Sequence, residues 1–394
     1  MTNKEIIELT ARHVANTYRR FPVAFVKGEG TRLWDADGRE YLDFVAGLAV
    51  CNLGHCHPRV VEAIREQAGK LIHVSNLFHI EPQSEFAKLL TENSFADRVF
   101  FCNSGAEANE AAIKLARKFF SARGEGRFQI VSMEKSFHGR TMAAMAATGQ
   151  KKIQEGFEPL LEKFIYVPFN DVEAVRRAVT ETTAAVMVEP IQGEGGVNLP
   201  DKGYLKELKA FSREAGILLI FDEVQVGMGR TGTLFAYENY DVEPDVMTLA
   251  KGLAGGVAIG AMLATEEVAA AFGPGAHAST FGGNPLATAA GTAALRATLE
   301  DGVLENCTKV GSYLVGKLEG LKKDFSFIKE VRGKGLIVAM ELDRPGAGIV
   351  TDCLEKSLLI NCTAETVLRF LPPLTVTEAE VDEMSGVLRG VLGA

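Results

Sequence analysis

The sequence is poor in the features that mark secreted and nucleic-acid-binding proteins. Its 394 residues include only six cysteines, and six in a chain of this length do not form the disulfide framework of a small secreted domain. No dense run of lysine and arginine occurs, and the formal net charge is −9, so the basic surface of a nucleic-acid binder is missing. We therefore expect small-molecule partners and no nucleic acid.

Long apolar runs are also missing. Residues 1–20 have charged side chains scattered among the apolar ones, which argues against a secretory signal. The longest uncharged apolar stretch near the middle of the chain, Gly252 to Thr265, is too short and too rich in glycine to span a bilayer. We therefore predict a cytoplasmic protein with no membrane partner.

Four possible metal ligands stand close together between residues 51 and 57, namely Cys51, His55, Cys56 and His57. Adjacent residues rarely converge on one ion, and no second ligand pair of typical spacing completes a tetrahedral site. We predict no metal site, and a metal-dependent hydrolase is kept as an alternative that metal analysis would test.

A second motif favours a different class of enzyme. Gly227, Gly229 and Gly232 match the G-x-G-x-x-G pattern of dinucleotide-binding proteins. That pattern requires its glycines directly at a strand-to-helix turn, whereas Asp222 to Val226 intervene here after the apolar run. A nicotinamide-dependent dehydrogenase is therefore an alternative that the context does not favour.

The middle of the chain alternates short apolar runs with segments of helical periodicity. The runs are Val99–Cys102, Phe128–Met133, Ala184–Val188, Ile217–Phe221 and Val246–Ala250, and the helical segments are Glu107–Ser121, Asp171–Thr180 and Tyr204–Ala215. Nearly continuous apolar strands separated by helices are typical of a mainly parallel sheet covered on both faces. The sequence therefore predicts an α/β fold.

The two ends of the chain differ from the middle. Asp37-Gly38 lies between β-rich runs and predicts a hairpin, while Ile328–Val331 and Leu336–Leu342 are strand-like runs among helices. At this length two or three domains are expected. We predict a large domain over residues 45–290 and a smaller α+β domain formed by residues 1–44 and 291–394.

Polar residues follow several of the predicted strands, and ligands gather at the carboxyl ends of such strands. After the first run, Ser104 and Glu107 fit a capping box, which places Gly105 and Ala106 in the first turn of a helix. The free N–H groups of a helical first turn suit a phosphate. An ordinary capped helix explains the same pattern, so this motif alone is not specific.

The ends of three further runs supply an aromatic ring, a guanidinium, a carboxylate and an amine. Phe137 and Arg140 follow the second run, and arginine binds substrate carboxylates in bidentate fashion. Asp222 ends the fourth run, where a buried carboxylate needs a partner such as a protonated ring nitrogen. Lys251 ends the fifth run.

Lys251 admits two interpretations. Its long stem could simply reach water, or its amine could lose its proton on burial and form a Schiff base with a carbonyl cofactor. A phosphate cradle, an aromatic face, a buried carboxylate and an amine are together the parts that hold pyridoxal phosphate. The presence of these groups at neighbouring strand ends favours the second interpretation, in which Lys251 forms a Schiff base.

From about residue 20 onward the chain resembles the class III (subgroup II) pyridoxal-phosphate aminotransferases. The motifs that carry the resemblance are LGHCHP at 53–58, NSGAEANEAAIKLAR at 103–117, FHGRT at 137–141, EPIQGEGGV at 189–197, FDEVQVGMGRTG at 221–232, LAKGLAGG at 249–256, STFGGNPLA at 279–287 and LRFLPPL at 368–374. Eight motifs in order are more specific than any one of them. The resemblance implies fold type I and a homodimer with shared active sites.

The resemblance also implies how the cofactor is held. Lys251 matches the Schiff-base lysine, and Asp222 matches the residue paired with the pyridine nitrogen. The further cofactor contacts that it implies are Phe137 stacked on the ring, Val224 and Gln225 beside it with Gln225 near the ring hydroxyl, Gly105 and Ala106 at the phosphate, and Thr280 from the neighbouring subunit.

Substrate contacts are implied in the same way. Arg140 resembles the arginine that takes the substrate carboxylate, with Ser279 nearby. Glu194 and Arg369 resemble a pair in which the glutamate masks the arginine for a basic donor and releases it for glutamate. Tyr18 stands where related ornithine aminotransferases carry a substrate-facing tyrosine.

The implied reaction moves the terminal amino group of N2-acetylornithine to 2-oxoglutarate. Ornithine, 4-aminobutyrate and succinyl-diaminopimelate stay open as donors, because the shared motifs bind cofactor and carboxylate rather than the distinguishing tail. The chain departs from the family at Ala106, where many relatives have threonine, and at Val257-Ala258, which replaces an aromatic-proline pair. Neither departure removes a proton-transfer group, so activity is expected.

Overall fold

The computed structural model describes residues 1–394, and its strands form three β-sheets. The strands are β1 Phe25–Glu29, β2 Arg32–Asp35, β3 Glu40–Asp43, β4 Arg98–Cys102, β5 Gln129–Met133, β6 Phe164–Val167, β7 Thr183–Val188, β8 Leu218–Asp222, β9 Val246–Leu249, β10 Gly260–Ala264, β11 Ile328–Lys334, β12 Ile337–Leu342, β13 Leu358–Leu359, β14 Asn361–Thr363 and β15 Val367–Phe370.

Helices cover the sheets and connect the strands. The α-helices are Asn3–His13, Pro58–Ala68, Glu81–Glu92, Gly105–Ala122, Met142–Ala147, Lys151–Gln154, Val172–Ala178, Tyr204–Glu214, Glu266–Ala269, Pro285–Glu300, Val303–Asp324, Ala347–Glu355 and Glu378–Leu392, and short 3₁₀ helices span Ala236–Tyr240 and Lys251–Ala254. None of these helices is both long enough and apolar enough to span a bilayer.

The central sheet has seven strands in the order β4-β10-β9-β8-β7-β5-β6. Strands β5 to β9 pair in parallel, and β10 pairs antiparallel with both β4 and β9. All residues of β5, β7, β8, β9 and β10 are buried, because helices cover both faces and leave no polar side to alternate with. The predicted α/β fold with a mainly parallel sheet is confirmed.

The helix Gly105–Ala122 shows how sequence periodicity builds this architecture. Its buried residues include Ala108, Ala112, Leu115 and Phe119, which recur at three- and four-residue spacing and form one face. Several of them share a core cluster with residues of β5, β7 and β8. Each fully buried large apolar side chain contributes roughly 1.5–3 kcal/mol, so this face fixes the helix on the sheet.

The two smaller sheets contain strands from the ends of the chain. One has the order β1-β2-β3-β13 and the other β11-β12-β15-β14. The hairpin predicted at Asp37-Gly38 joins β2 and β3 antiparallel, and Gly38 has the left-handed φ of +89° that such a turn favours. Strands from both chain ends thus share a sheet. The predicted domain boundary at residue 290 falls inside the helix Pro285–Glu300. The division into domains stays a prediction.

Candidate active site

A cavity of about 470 Å³ opens at the carboxyl ends of the central strands. Nine of the thirteen site residues predicted from the sequence line it: Gly105, Ala106, Phe137, Arg140, Glu194, Asp222, Val224, Gln225 and Lys251. The four that do not line it are Tyr18, Ser279, Thr280 and Arg369.

Lys251 begins a 3₁₀ helix two residues after the end of strand β9, and it lines the cavity. Its backbone has a left-handed φ of +43°, a conformation that is uncommon for any residue with a side chain. Burial lowers the pKa of Lys251, and the charge of Arg369 acts in the same direction while Glu194 opposes it. A lysine with a lowered pKa is an effective base and nucleophile.

Asp222 ends strand β8 and is only 3% exposed. Its Oδ1 accepts a hydrogen bond from Val224 N at 3.0 Å. Its Oδ2 accepts from Asn109 Nδ2 at 2.8 Å and from His138 Nδ1 at 2.7 Å. These three donors compensate the desolvation of a buried carboxylate.

The residues that hold Asp222 were not singled out from the sequence. Thr248 Oγ1 donates to Asn109 Oδ1 at 2.7 Å, and Asn109 Nδ2 also donates to the carbonyl oxygen of His138 at 2.7 Å. Burial disfavours the charged ring of His138, but the hydrogen bond and charge of Asp222 raise the pKa of His138 overall. His138 Nε2 is buried without a partner. The available signal was a polar residue, Asn109, on the apolar face of a predicted helix.

The helix Gly105–Ala122 presents its first turn to the cavity. One half of the predicted capping box is present, since Ser104 Oγ accepts from Glu107 N at 3.2 Å. The other half differs, because the Glu107 carboxylate accepts from Asn103 N at 2.7 Å, one residue before the expected donor. First-turn amides have no acceptor within their own helix, which leaves those of Gly105 and Ala106 facing the cavity. Free amides of this kind are suited to bind an anion.

Close packing restricts the residues in this turn to small ones. A Cβ added to Gly105 would lie 2.7 Å from Val224 Cγ1. Gly139 has a φ of +140°, and a Cβ there would lie 2.8 Å from Ala106 Cβ. Residue 139 therefore has to be a glycine, because a side chain there would collide with Ala106 and Ala144.

Glu194, Gln225 and Arg369 form one hydrogen-bonded group. Arg369, on β15 and completely buried, donates through Nη1 to Glu194 Oε1 at 2.7 Å and to Gln225 Oε1 at 3.0 Å. Gln225 Nε2 donates to Glu194 Oε1 at 3.0 Å. Burial opposes ionisation of Glu194, yet Arg369 and Lys251 lower the pKa of Glu194 to about 2. The carboxylate thus separates the guanidinium from the cavity, and Arg369 Nη2 is buried without a partner.

Glu189 is a second acidic group that the sequence did not single out for a role. It follows β7, lines the cavity and accepts from Phe137 N at 3.1 Å and from Gly193 N at 3.3 Å. Burial raises the pKa of Glu189 to about 7. Its hydrogen bonds fix the backbone of the predicted aromatic face and of the glycine next to Glu194.

Arg140 lies exposed where the cavity opens. Its guanidinium carbon is 5.6 Å from the centre of the Phe137 ring, a distance at which cation and ring attract each other. No hydrogen bond or ion pair to another residue engages its guanidinium. The charge of Arg140 is therefore available to an anionic ligand.

The other predicted residues lie outside the cavity of this chain. Tyr18 is 70% exposed, with the Arg20 guanidinium 5.3 Å from its ring centre. Ser279 Oγ accepts from Asn103 Nδ2 at 3.2 Å, and Asn103 lines the cavity. Thr280 is exposed. Of these three residues, only Ser279 forms a hydrogen bond with a cavity-lining residue of its own chain.

Residues of the glycine motif and of the Cys/His cluster, which suggested other enzymes, form hydrogen bonds that connect distant segments of the chain. The glycine motif at 227–232 holds buried Arg230, whose guanidinium donates to the carbonyl oxygens of Leu336 and Pro372 and to Asn52 Oδ1. His55 Nε2 lies 2.7 Å from Asp43 Oδ2. No group of three or more His, Cys, Asp or Glu side chains is arranged to hold a metal ion.

A strained turn lies beside the cavity at residues 46–49. Ala46, Gly47, Leu48 and Ala49 have φ of +47°, +63°, +65° and +62°, so the chain makes a left-handed turn. Such backbone costs roughly 1–2 kcal/mol for each residue other than glycine. Strain of this kind persists only where surrounding contacts hold it.

Comparison with known proteins agrees with this geometry. The family model described as Aminotransferase class-III matches residues 13–392. An acetylornithine aminotransferase of Caldanaerobacter subterraneus subsp. tengcongensis is 54% identical over 98% of this chain and 99% of its own length, and one of Methanocaldococcus jannaschii is 52% identical over 98% of each.

Solved structures show the same likeness. The ornithine aminotransferase of Toxoplasma gondii superposes with a TM-score of 0.95 at 34% identity, over 100% of this chain and 95% of that one. The acetylornithine aminotransferase of Elizabethkingia anophelis gives 0.89 at 34% identity, over 100% and 99%. The expected fold type I is confirmed, and the resemblance of the eight motifs is confirmed with it. The chain belongs to the class III aminotransferases.

Proposed function

We propose that this aminotransferase transfers the terminal amino group of N2-acetylornithine to 2-oxoglutarate, with pyridoxal phosphate as its cofactor. The observation that carries the proposal is the convergence of Lys251, Asp222 and the Glu194–Arg369 pair around one cavity. Relatives about half identical over nearly the whole chain are acetylornithine aminotransferases, which supports the choice of donor.

The residues around the cavity fit the cofactor. The first-turn amides of Gly105 and Ala106 would hold its phosphate, and Asp222 would pair with its ring nitrogen. Lys251 forms no hydrogen bond or ion pair to another residue, so its amine is free for covalent attachment. When bound, the cofactor supplies an electron-withdrawing ring that stabilises negative charge on the substrate Cα.

Lys251 and Asp222 would have different roles in the reaction. Lys251, whose pKa is lowered by burial, would serve as the base that moves a proton at the substrate Cα. Asp222, held by Asn109 and His138, keeps a fixed negative charge where a protonated ring nitrogen would need it. The family role of Phe137, with Val224 and Gln225, is to enclose the ring.

The two arginines suit the two substrates. Arg140, free at the opening, would take the carboxylate common to both. Arg369 would take the second carboxylate of glutamate or 2-oxoglutarate once Glu194 swings away, and its Nη2, which has no partner within the chain, would then be available to that carboxylate. For the acetylated donor, Glu194 stays on Arg369.

The choice of donor is tested by single half-reactions of the cofactor-loaded enzyme with N2-acetylornithine, ornithine, 4-aminobutyrate and succinyl-diaminopimelate. We expect N2-acetylornithine to react at least about tenfold faster at equal low concentration, since one well-placed contact contributes about that factor. A faster reaction with any of the other three would replace the proposed donor.

Replacing Arg369 with lysine is expected to separate the two half-reactions. Lysine keeps the charge but loses the planar pair of donors, so kcat/KM for glutamate should fall roughly 10- to 100-fold, as expected for lost hydrogen bonds to a charged group. The reaction with N2-acetylornithine should fall less than about threefold. Equal losses on both substrates, measured by stopped-flow absorbance, would refute the switching role of Glu194 and Arg369.

We infer further that the enzyme works as a homodimer in which Thr280 of one subunit reaches the phosphate position of the other. Thr280 is exposed and lies away from its own cavity, next to the strongly exposed Phe281. Leu77 and Phe78 are also exposed, and Asn76 Nδ2 binds the carbonyl oxygen of Gly282 at 2.8 Å. An apolar surface of this kind favours a partner. A monomer mass in sedimentation equilibrium would contradict the dimer.

The cytoplasm is the proposed location of the enzyme. All six cysteines are free, as expected in a reducing compartment. Cell fractionation that recovers the activity outside the cytoplasm would overturn this assignment.

A further inference from the structure

The left-handed turn at residues 46–49 is held by one buried carboxylate. Asp43 Oδ1 accepts hydrogen bonds from Val45 N at 2.8 Å and from Ala46 N at 3.0 Å. Its Oδ2 lies 2.7 Å from His55 Nε2, which donates because a carboxylate only accepts. Asp43 thus binds the two backbone amides at the start of the turn through Oδ1 and the ring of His55 through Oδ2.

His55 is anchored independently of the turn. Its backbone N donates to Gly30 O at 2.8 Å, and its carbonyl oxygen accepts from Gly30 N at 3.0 Å. Its side chain lies over Gly28, where an added Cβ would be 2.8 Å from His55 Cβ. The ring therefore has a fixed position relative to the β1–β2 hairpin, and it fixes the Asp43 carboxylate in turn.

Residues 50–52, which come directly after the turn, pack against the segment that follows Lys251. Val50 lines the cavity, and a Cβ added to Gly256 would lie 3.8 Å from Cys51 Sγ. Asn52 is packed so closely that a Cβ added to Gly252 would lie 2.4 Å from its Nδ2. The main chain on the carboxyl side of Lys251 thus rests on residues that follow the turn. Cys51 N donates to Ala46 O within the turn, and Asn52 is held in addition by Met228 and Arg230.

We propose that Asp43 and His55 are positioning residues for Lys251. They hold the strained turn, the turn holds residues 50–52, and these residues hold the 3₁₀ turn that begins at Lys251. The inference rests on the proposed covalent role of Lys251. It gives a role to His55, the first histidine of the LGHCHP motif, which the cofactor and substrate contacts leave without one.

The test compares two amide replacements of His55 that differ by one methylene. Gln Nε2 reaches about as far along the side chain as His Nε2, whereas the amide of asparagine stops short, so His55→Gln keeps the contact with Asp43 and His55→Asn loses it. His13→Gln, at an exposed histidine on the first helix, is the matched control. Circular dichroism confirms that each variant is folded.

Two measurements are made on each variant. Hydrogen–deuterium exchange of the apoprotein reports the opening of segments 44–52 and 251–256. Borohydride trapping with pyridoxal phosphate, followed by mass spectrometry, reports the half-saturating cofactor concentration for covalent attachment at Lys251. For His55→Asn we expect exchange in both segments to rise about tenfold or more and the half-saturating concentration to rise by a similar factor. His55→Gln and His13→Gln should stay within about threefold of the parent.

The outcomes separate the two proposals. A parent that is not labelled at Lys251 contradicts the proposed function itself. A labelled parent with His55→Asn and His55→Gln behaving alike overturns the positioning role, and so does faster exchange at 44–52 without any change at 251–256 or in trapping. If His55→Asn does not fold, Asp43→Asn, which replaces the oxygen facing His55 by an amide nitrogen, is measured in the same way and should show the same loosening.

Discussion

Replacing Lys251 with alanine is expected to abolish turnover, reducing kcat by about 10⁴-fold or more, because the variant loses both the covalent attachment and the base. No other lysine lines the cavity, so no second amine stands ready to replace it. The visible absorption that borohydride bleaches in the parent should disappear, and mass spectrometry after hydride treatment should find no cofactor on residue 251.

An exposed lysine provides the control for this experiment. Lys356 is exposed and forms no ion pair, so Lys356→Ala should keep the parent's rate and absorption. Retained turnover in Lys251→Ala, or a cofactor adduct on another lysine in the parent, would remove Lys251 from the mechanism and with it the proposed chemistry.

Replacing Asp222 with asparagine is expected to leave the cofactor bound and the reaction slow. The amide keeps the shape of the side chain but removes the charge that would pair with a protonated ring nitrogen, so the rate of the half-reaction should fall about 10³-fold. The anion-binding first turn at Gly105 and Ala106 is untouched, so the cofactor content, measured by absorbance after denaturation, should stay near one per chain.

Asp201, an exposed carboxylate, supplies the matched control as Asp201→Asn, for which the parent's rate is expected. The role of Asp222 would be lost if Asp222→Asn reacted at a near-normal rate. A variant that loses the cofactor altogether would instead assign to Asp222 a part in binding that the phosphate position does not provide.

Much of the central sheet could be predicted because its strands are buried on both faces. The five apolar runs all became strands within about two residues of their predicted ends, since a continuous apolar run has few alternatives in a chain of this composition. Strand β10 was missed because Gly260–Ala264 lies in a stretch that begins with several glycines. Strand β13 has only two residues, and such a short pairing leaves no pattern.

Site residues that follow a strand could be predicted from the sequence. Site residues whose role depends on contacts between distant segments could not. Asp222 and Lys251 end apolar runs, and this position alone draws attention to them. Asn109 and His138 hold Asp222 from segments far away in sequence, and no spacing rule connects them. His55 was one of four possible metal ligands, but its partner is Asp43, to which no pattern in the sequence pointed.

The burial of Arg369 has a consequence for how the enzyme alternates between its two reactants. A cation sealed inside a protein is very costly without a counter-charge, and Glu194 lies between the guanidinium and the cavity. An incoming dicarboxylate can therefore reach the guanidinium only as Glu194 moves aside. Gln225 and Asn361 accept hydrogen bonds from the same guanidinium, so two neutral partners stay in place while one anion replaces the other.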